Sequence, residues 1–178
     1  MEAAFGPVEE RGRQLAQQAG WKYLGIDVSP APGLDASIGQ AIEILSNAPF
    51  GSPSTLAACA AITDVLKALS IEKCGYSGLM LPVLEDPVLA QRAAEGRYGT
   101  SELLLYSSVC GTGLDVVPLP GDTSVDALAG VITDMAALAT KYRKPLSARL
   151  FPIPGKRAGE RISFDNPFLT ETIVLPVG

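Results

Sequence analysis

The chain has 178 residues, 47% of them hydrophobic and 19% charged, enough for one domain (1–178) with a real core; its net charge of −5, with Lys and Arg dispersed, offers no footprint for nucleic acid or an anionic membrane. It contains no histidine, which excludes a Ser-His-Asp or Cys-His nucleophile, an imidazole base and a histidine metal ligand. The three cysteines, Cys59, Cys74 and Cys110, include no C-x-x-C pair and so suggest neither a disulfide framework nor a zinc site.

In chain order, Val8–Ala19 reads as a weakly amphipathic helix with Glu9, Glu10, Arg11 and Arg13 toward solvent and Gly20 ending it. A strand over Tyr23–Val28 follows, then a loop whose Ser29-Pro30-Ala31-Pro32-Gly33 carries its own turn chemistry. A helical pattern over Ala36–Leu45 is broken at Pro49-Phe50-Gly51, and the next helix, Ser54–Leu69, repeats Leu56, Cys59, Ile62, Leu66 and Leu69 at steps of three and four, which makes Cys59 a core residue. Gly78–Leu84 reads as a second strand, and Glu85-Asp86-Pro87 can cap a short helix to about Glu95, with proline at an early position where it removes no needed donor. A helix over Ser101–Val109 precedes a strand over Leu114–Leu119. Asp122 or Thr123 then caps a helix running to Tyr142, with an apolar stripe at Val125, Leu128, Ile132, Met135, Ala139 and Tyr142. Lys144-Pro145 ends it, a strand covers Leu146–Phe151, and Ile173–Val177 forms a last strand.

Strands alternating with helices of this length predict an α/β fold, a mainly parallel sheet with covering helices joined by right-handed crossovers. Ligands in such folds sit at the carboxyl ends of the strands, where four loops meet: 27–35, 82–86, 118–123 and 152–157. No apolar run approaches the roughly 20 residues needed to cross a bilayer and no basic-then-apolar leader opens the chain, so a cytoplasmic protein is expected.

The segments Gly25-Ile26-Asp27-Val28-Ser29-Pro30-Ala31-Pro32, Gly78-Leu79-Met80-Leu81-Pro82-Val83-Leu84-Glu85-Asp86, Val109-Cys110-Gly111-Thr112-Gly113-Leu114-Asp115 with Pro120-Gly121-Asp122-Thr123, and Arg149-Leu150 with Pro154-Gly155-Lys156 resemble an uncharacterised microbial family labelled "PFL family protein". The resemblance covers nearly the whole chain and only the carboxyl-terminal part of the longer family members. It implies part of an α/β barrel like that of pyruvate formate-lyase. The sequence lacks an Arg-Val-x-Gly-Tyr-like segment and an adjacent cysteine pair, so glycyl-radical chemistry is not implied. A partial barrel leaves sheet edges and apolar faces open, so a homo-oligomer or a companion chain is expected.

Candidate site residues follow from the loops. Asp27, at a strand end before Ser29-Pro30, is either a general base or metal ligand or the acceptor that holds its own loop. Asp122 is a helix cap or, if its loop faces the cleft, a second catalytic carboxylate. Glu85 and Asp86, with Asp27 and Asp122, offer oxygen ligands to a divalent cation such as Mg²⁺ or Ca²⁺, or form a solvated acidic helix start. Asp115 inside an apolar strand needs a partner if buried, and Arg149 in the neighbouring strand is the obvious one, as a structural ion pair or a substrate clamp. Lys156, in Gly155-Lys156-Arg157-Ala158-Gly159, suits a carboxylate or phosphate, although no P-loop spacing is present. Ser29 and Thr123 add hydroxyls for ligand contact. Cys110 reads as a buried, inert thiol. The functions in view are an enzyme acting on a small anionic metabolite, a non-catalytic ligand-binding or regulatory protein, and a structural part of a larger barrel.

Overall fold

A computed structural model describes residues 2–33 and 35–178, so position 34 of the loop 27–35 and position 1 of the predicted domain lie outside the described residues. The elements run α1 (Glu2–Ala19), α2 (Ile38–Ser46), α3 (Thr55–Ala68), α4 (Pro87–Ala94), α5 (Thr100–Ser107), β1 (Gly113–Pro120), α6 (Val125–Tyr142), β2 (Ser147–Ile153), β3 (Arg161–Ile162) and β4 (Thr172–Ile173). The architecture is mixed α/β. β1 and β2 pair in parallel with α6 as their crossover, and β3 and β4 form a short antiparallel pair beside them. Among the described residues β2 has no partner on its outer side and the sheet does not close into a barrel.

The predicted strand over Tyr23–Val28 reduces to one parallel bridge, Ile26 to Lys73, and that over Gly78–Leu84 to one parallel bridge, Pro82 to Asp115. The second segment lies against β1 and the first against Lys73, and their ladders are interrupted for identifiable reasons. Around residue 27, side chains take the bonds a strand would make: the Asp27 carboxylate accepts from the Tyr76 and Ser77 N–H groups, Ser77 Oγ accepts from Val28 N–H, and Ser29 Oγ accepts from Gly78 N–H. In the second segment Pro82 has no N–H to donate, and only Val83 N–H reaches the Asp115 carbonyl, at 3.2 Å. The last strand is likewise shorter than Ile173–Val177: beyond Ile173 the chain bonds individually, Val174 N–H to Glu160 and Leu175 N–H to Pro118.

The main core joins α2–α5, the Leu79–Val83 segment, β1 and the inner face of α6, with Phe50 edge-on to Tyr98 and Tyr106 at ring separations of 5.0 and 5.3 Å. Cys59 is fully buried there, and burial, with a smaller contribution from nearby Cys110, pushes its thiol up to about 12. On α6 the expected stripe is rotated. Val131 and Met135 are buried with Leu128 packed beside them, whereas Val125, Ile132 and Tyr142 face outward. This helix is apolar on more than one face, and steps of three and four fit 128–131–135 as well as the stripe through Ile132. Gly78 and Gly111 pack backbone to backbone, close enough that a Cβ on either would overlap the other's Cα.

Asp86 ties two helices together. It is fully buried and caps α4, accepting from Val88 and Leu89 N–H at 3.0 Å each. The same carboxylate also accepts from Ile38 N–H (2.7 Å), Gly39 N–H (3.2 Å) and the Ser37 hydroxyl (2.7 Å) at the start of α2. Two helix amino ends thus share one anion, each adding its partial positive charge. Asp86→Ala leaves these donors buried without an acceptor. It should cost at least about 3 kcal/mol, read as a lower urea midpoint at unchanged slope; a midpoint within experimental error of the unsubstituted chain would overturn the assignment.

Candidate functional site

The carboxyl ends of β1 and β2 are joined by backbone. Gly121 N–H donates to the Lys156 carbonyl at 3.0 Å, and Lys156 N–H closes a turn onto Ile153. Between the two loops lies an open cavity of about 270 Å³ lined by Gly121, Asp122, Gly155, Lys156 and Arg157. Lys156 and Arg157 make no ion pair among the described residues, while the Asp122 carboxylate lines the same cavity and the Glu160 carboxylate accepts from Arg157 N–H. Two of the expected residues, Asp122 and Lys156, therefore meet here. Arg157 joins them, and its signal was the adjacent cation in the Gly155–Gly159 turn.

The cap assigned to Asp122 or Thr123 is corrected. Ser124 caps α6, its hydroxyl accepting from Ala127 N–H at 3.1 Å. Thr123 is already committed to the preceding turn, its N–H and its hydroxyl (2.7 Å) both donating to the Pro120 carbonyl. With the cap one residue later, Asp122 is left exposed in the cavity loop.

Asp27 and Ser29 do not line this cavity. Asp27 accepts from the Ser29 hydroxyl (2.6 Å) and from the N–H groups of Ser29, Tyr76 and Ser77 (3.0, 3.1 and 3.0 Å), which makes it the knot of its own loop. Partial burial raises its pKa, but those hydrogen bonds outweigh that effect and hold the carboxyl below its ordinary value. Asp27, Glu85, Asp86 and Asp122 do not assemble as a cation cage: among the described residues no group of three or more carboxylate, cysteine or histidine side chains is placed to hold a metal ion. Asp86 is occupied by its hydrogen bonds, and Glu85 turns instead toward Arg149, at 3.5 Å.

Asp115 and Arg149 do pair. Arg149 Nε donates to Asp115 Oδ1, and this bond above all raises the guanidinium's pKa. Asp115 is only 2% exposed, and its other oxygen, Oδ2, is buried with no hydrogen-bond partner. No motif in the sequence announces the backbone that puts it there. β1 pairs Leu114 with Ala148 and Val117 with Leu150, so Asp115 and Val116 together face Arg149 alone, a β-bulge in a parallel ladder. Val116, buried and β-branched, sits at φ 42°, a conformation that costs on the order of 1–3 kcal/mol. Cys110 is buried and its sulfur accepts from Gly113 N–H at 3.3 Å, as an inert thiol should.

A family model described as "Uncharacterised ACR (DUF711)" matches residues 5–165. The chain belongs to this DUF711 family. It is 38% identical over 172 residues to a UPF0210 protein of Syntrophobacter fumaroxidans, covering 93% of this chain and 37% of that protein. A UPF0210 protein of Pyrobaculum aerophilum is 37% identical over 155 residues (84% and 35% covered), and one of Oleidesulfovibrio alaskensis 36% over 172 residues (93% and 38% covered). The chain thus spans little more than a third of the length of these relatives. The uncharacterised microbial family expected from the four motifs is the kind of family found; the PFL label appears in none of these names. No helix among the described residues is long and apolar enough to cross a membrane.

Because the folded-state pKa of Asp27 is depressed, its stabilising contribution is complete above the unfolded value and is lost as pH falls through the folded one. Asp27→Asn should be less stable by about 1 kcal/mol at pH 7, after allowance for solvent screening. The gap should close below about pH 4. A gap that stays constant between pH 7 and pH 3 would show that the charge of Asp27 does not matter.

Proposed function

We propose that this member of the DUF711 family acts on a small anionic metabolite at the carboxyl ends of its parallel segments. The observation that carries the reading is that two cations, Lys156 and Arg157, and the Asp122 carboxylate line one open cavity. Lys156 supplies a point charge, Arg157 a planar fork suited to a carboxylate or phosphate, and Asp122 a base placed beside whatever they hold. Gly155 has open space where a side chain would stand, whereas the position of a Gly121 side chain is filled by the Ile153 carbonyl. Inorganic phosphate and malonate, titrated calorimetrically, should bind the unsubstituted chain and lose at least tenfold in affinity in Lys156→Ala/Arg157→Ala. Equal affinities in the two proteins would remove the reading.

A second reading, that the chain works as part of a larger PFL-like barrel, is supported by two observations. The Leu79–Val83 segment, β1 and β2 lie side by side in chain order and in parallel, with the Ile26 segment bridged to Lys73 upstream, and among the described residues β2 is left as an open edge. An apolar groove of about 520 Å³ between α2 and α3, with Ile44, Leu45 and Val65 exposed, also calls for cover. Native mass spectrometry should then report a closed homo-oligomer or a complex with a companion chain. Lone monomers at micromolar concentration would sink this reading without touching the first.

A further inference from the structure

The bulge in β1 does more than interrupt a ladder. Along β2, Ala148 and Leu150 pack into the core, while Arg149 and Phe151, one pleat out of phase, belong to the opposite, open face. A regular β1 has only one residue to set against Arg149. The inserted residue lets Val116 enter the second apolar cluster, with Leu84, Ile162 and Val174, while Asp115 pairs with Arg149. A buried valine is held at positive φ to achieve this, and strain of that kind persists where the surrounding structure over-determines it, typically at binding and active sites.

The resulting pair is incomplete. An arginine and a carboxylate normally engage through two parallel bonds, but here only Nε bonds to Oδ1. Oδ2 is buried without a donor, Nη1 makes only a 3.5 Å contact with Glu85, and Nη2 has no partner among the described residues. Arg149 is 46% exposed and Asp115 2%, so the pair reaches from solvent to a buried acceptor. Glu85 is fixed at its outer edge because the next residue, Asp86, is locked between α2 and α4.

We propose that the Asp115–Arg149–Glu85 cluster is a second binding site, distinct from the Lys156 cavity, for a small carboxylate bearing a hydroxyl or ammonium group on the adjacent carbon. The ligand carboxylate pairs with the outer Nη groups of Arg149 and draws the guanidinium outward. Its neighbouring hydroxyl or ammonium donates to Asp115 Oδ2, giving that oxygen the bond it lacks. A plain carboxylate satisfies Arg149 alone and leaves Oδ2 as it was. A buried acceptor that only one of two ligands can satisfy is a strong basis for discrimination. Phe151, exposed two residues along β2, offers an apolar surface for the ligand's remaining carbon atoms.

The test uses Lys156→Ala/Arg157→Ala as background, so that the cavity of the first proposal is disabled and the outcome does not depend on it. The Arg149 Nε–H resonance is followed by NMR during titration with glycolate, glycine and acetate. Glycolate and glycine should shift that resonance and bind at least tenfold more tightly than acetate. In Asp115→Asn, which keeps shape and one acceptor, the preference should fall at least fivefold. If Asp115→Asn does not fold, Arg149→Gln serves instead and, read by calorimetry, should abolish binding of all three. Equal affinity for glycolate and acetate, or an Arg149 resonance unmoved at saturating concentrations, would overturn the proposal.

Discussion

Asp86 presents one buried carboxylate to the amino ends of α2 and α4, and neither helix can shift without leaving N–H groups, or the anion itself, unpaired away from water. The contact is tight. A Cβ on Gly39 would lie 3.0 Å from Oδ1, so the first turn of α2 comes close because that position carries no side chain. Through this carboxylate Ser37 and the start of α2 are fastened to the end of the Leu79–Val83 segment, and that segment lies against β1 through Pro82 and Asp115. Glu85, the residue before Asp86, inherits its position from that anchor.

The same economy of side chains in place of backbone recurs one segment away. Asp27, Ser29 and Ser77 satisfy N–H groups that a continuous ladder would have bonded to carbonyls. Regular pairing shortens, but the loop becomes stiff, since each bond fixes backbone that would otherwise sample many conformations. Only at β1 and β2 does the ladder run long, and there the crossover helix α6 covers one face. The result is a parallel sheet whose regular part is small and whose carboxyl-end loops are each held by named polar groups.

Much of this was readable from residue order. The three- and four-residue spacing of α3, the Asp-Pro start of α4, the burial of Cys59 and the pairing of Asp115 with Arg149 all rest on local or one-partner rules that a sequence carries openly. What was not readable depends on competition between neighbours. Asp122, Thr123 and Ser124 are three acceptable caps in a row, and the turn onto Pro120 decides among them by taking Thr123. The apolar periodicity of α6 fits two faces, and only the position of the sheet selects Val131 and Met135. Glu85 and Asp86 looked alike as adjacent carboxylates, yet one lies in a protein interior made of N–H donors and the other beside a guanidinium. The bulge at Asp115–Val116 has no glycine or proline to announce it, since a buried valine takes the positive φ.

That bulge also bears on what can cover the open face. Parallel sheets are ordinarily buried on both sides, and their strands then read as apolar in both directions. β1 nearly does so, being buried along almost its whole length, but the face that β2 turns away from α6 carries Arg149. A purely apolar cover would strip water from the guanidinium and from Glu85 while leaving Asp115 Oδ2 still without a donor, a combination more costly than leaving the face wet. The cover compatible with these charges is one that brings hydrogen-bond donors and an anion of its own. The α2–α3 groove has the opposite character, with Ile44, Leu45 and Val65 exposed around an almost entirely apolar lining. The two surfaces therefore differ in the cover they can accept: apolar at the groove, polar against the sheet.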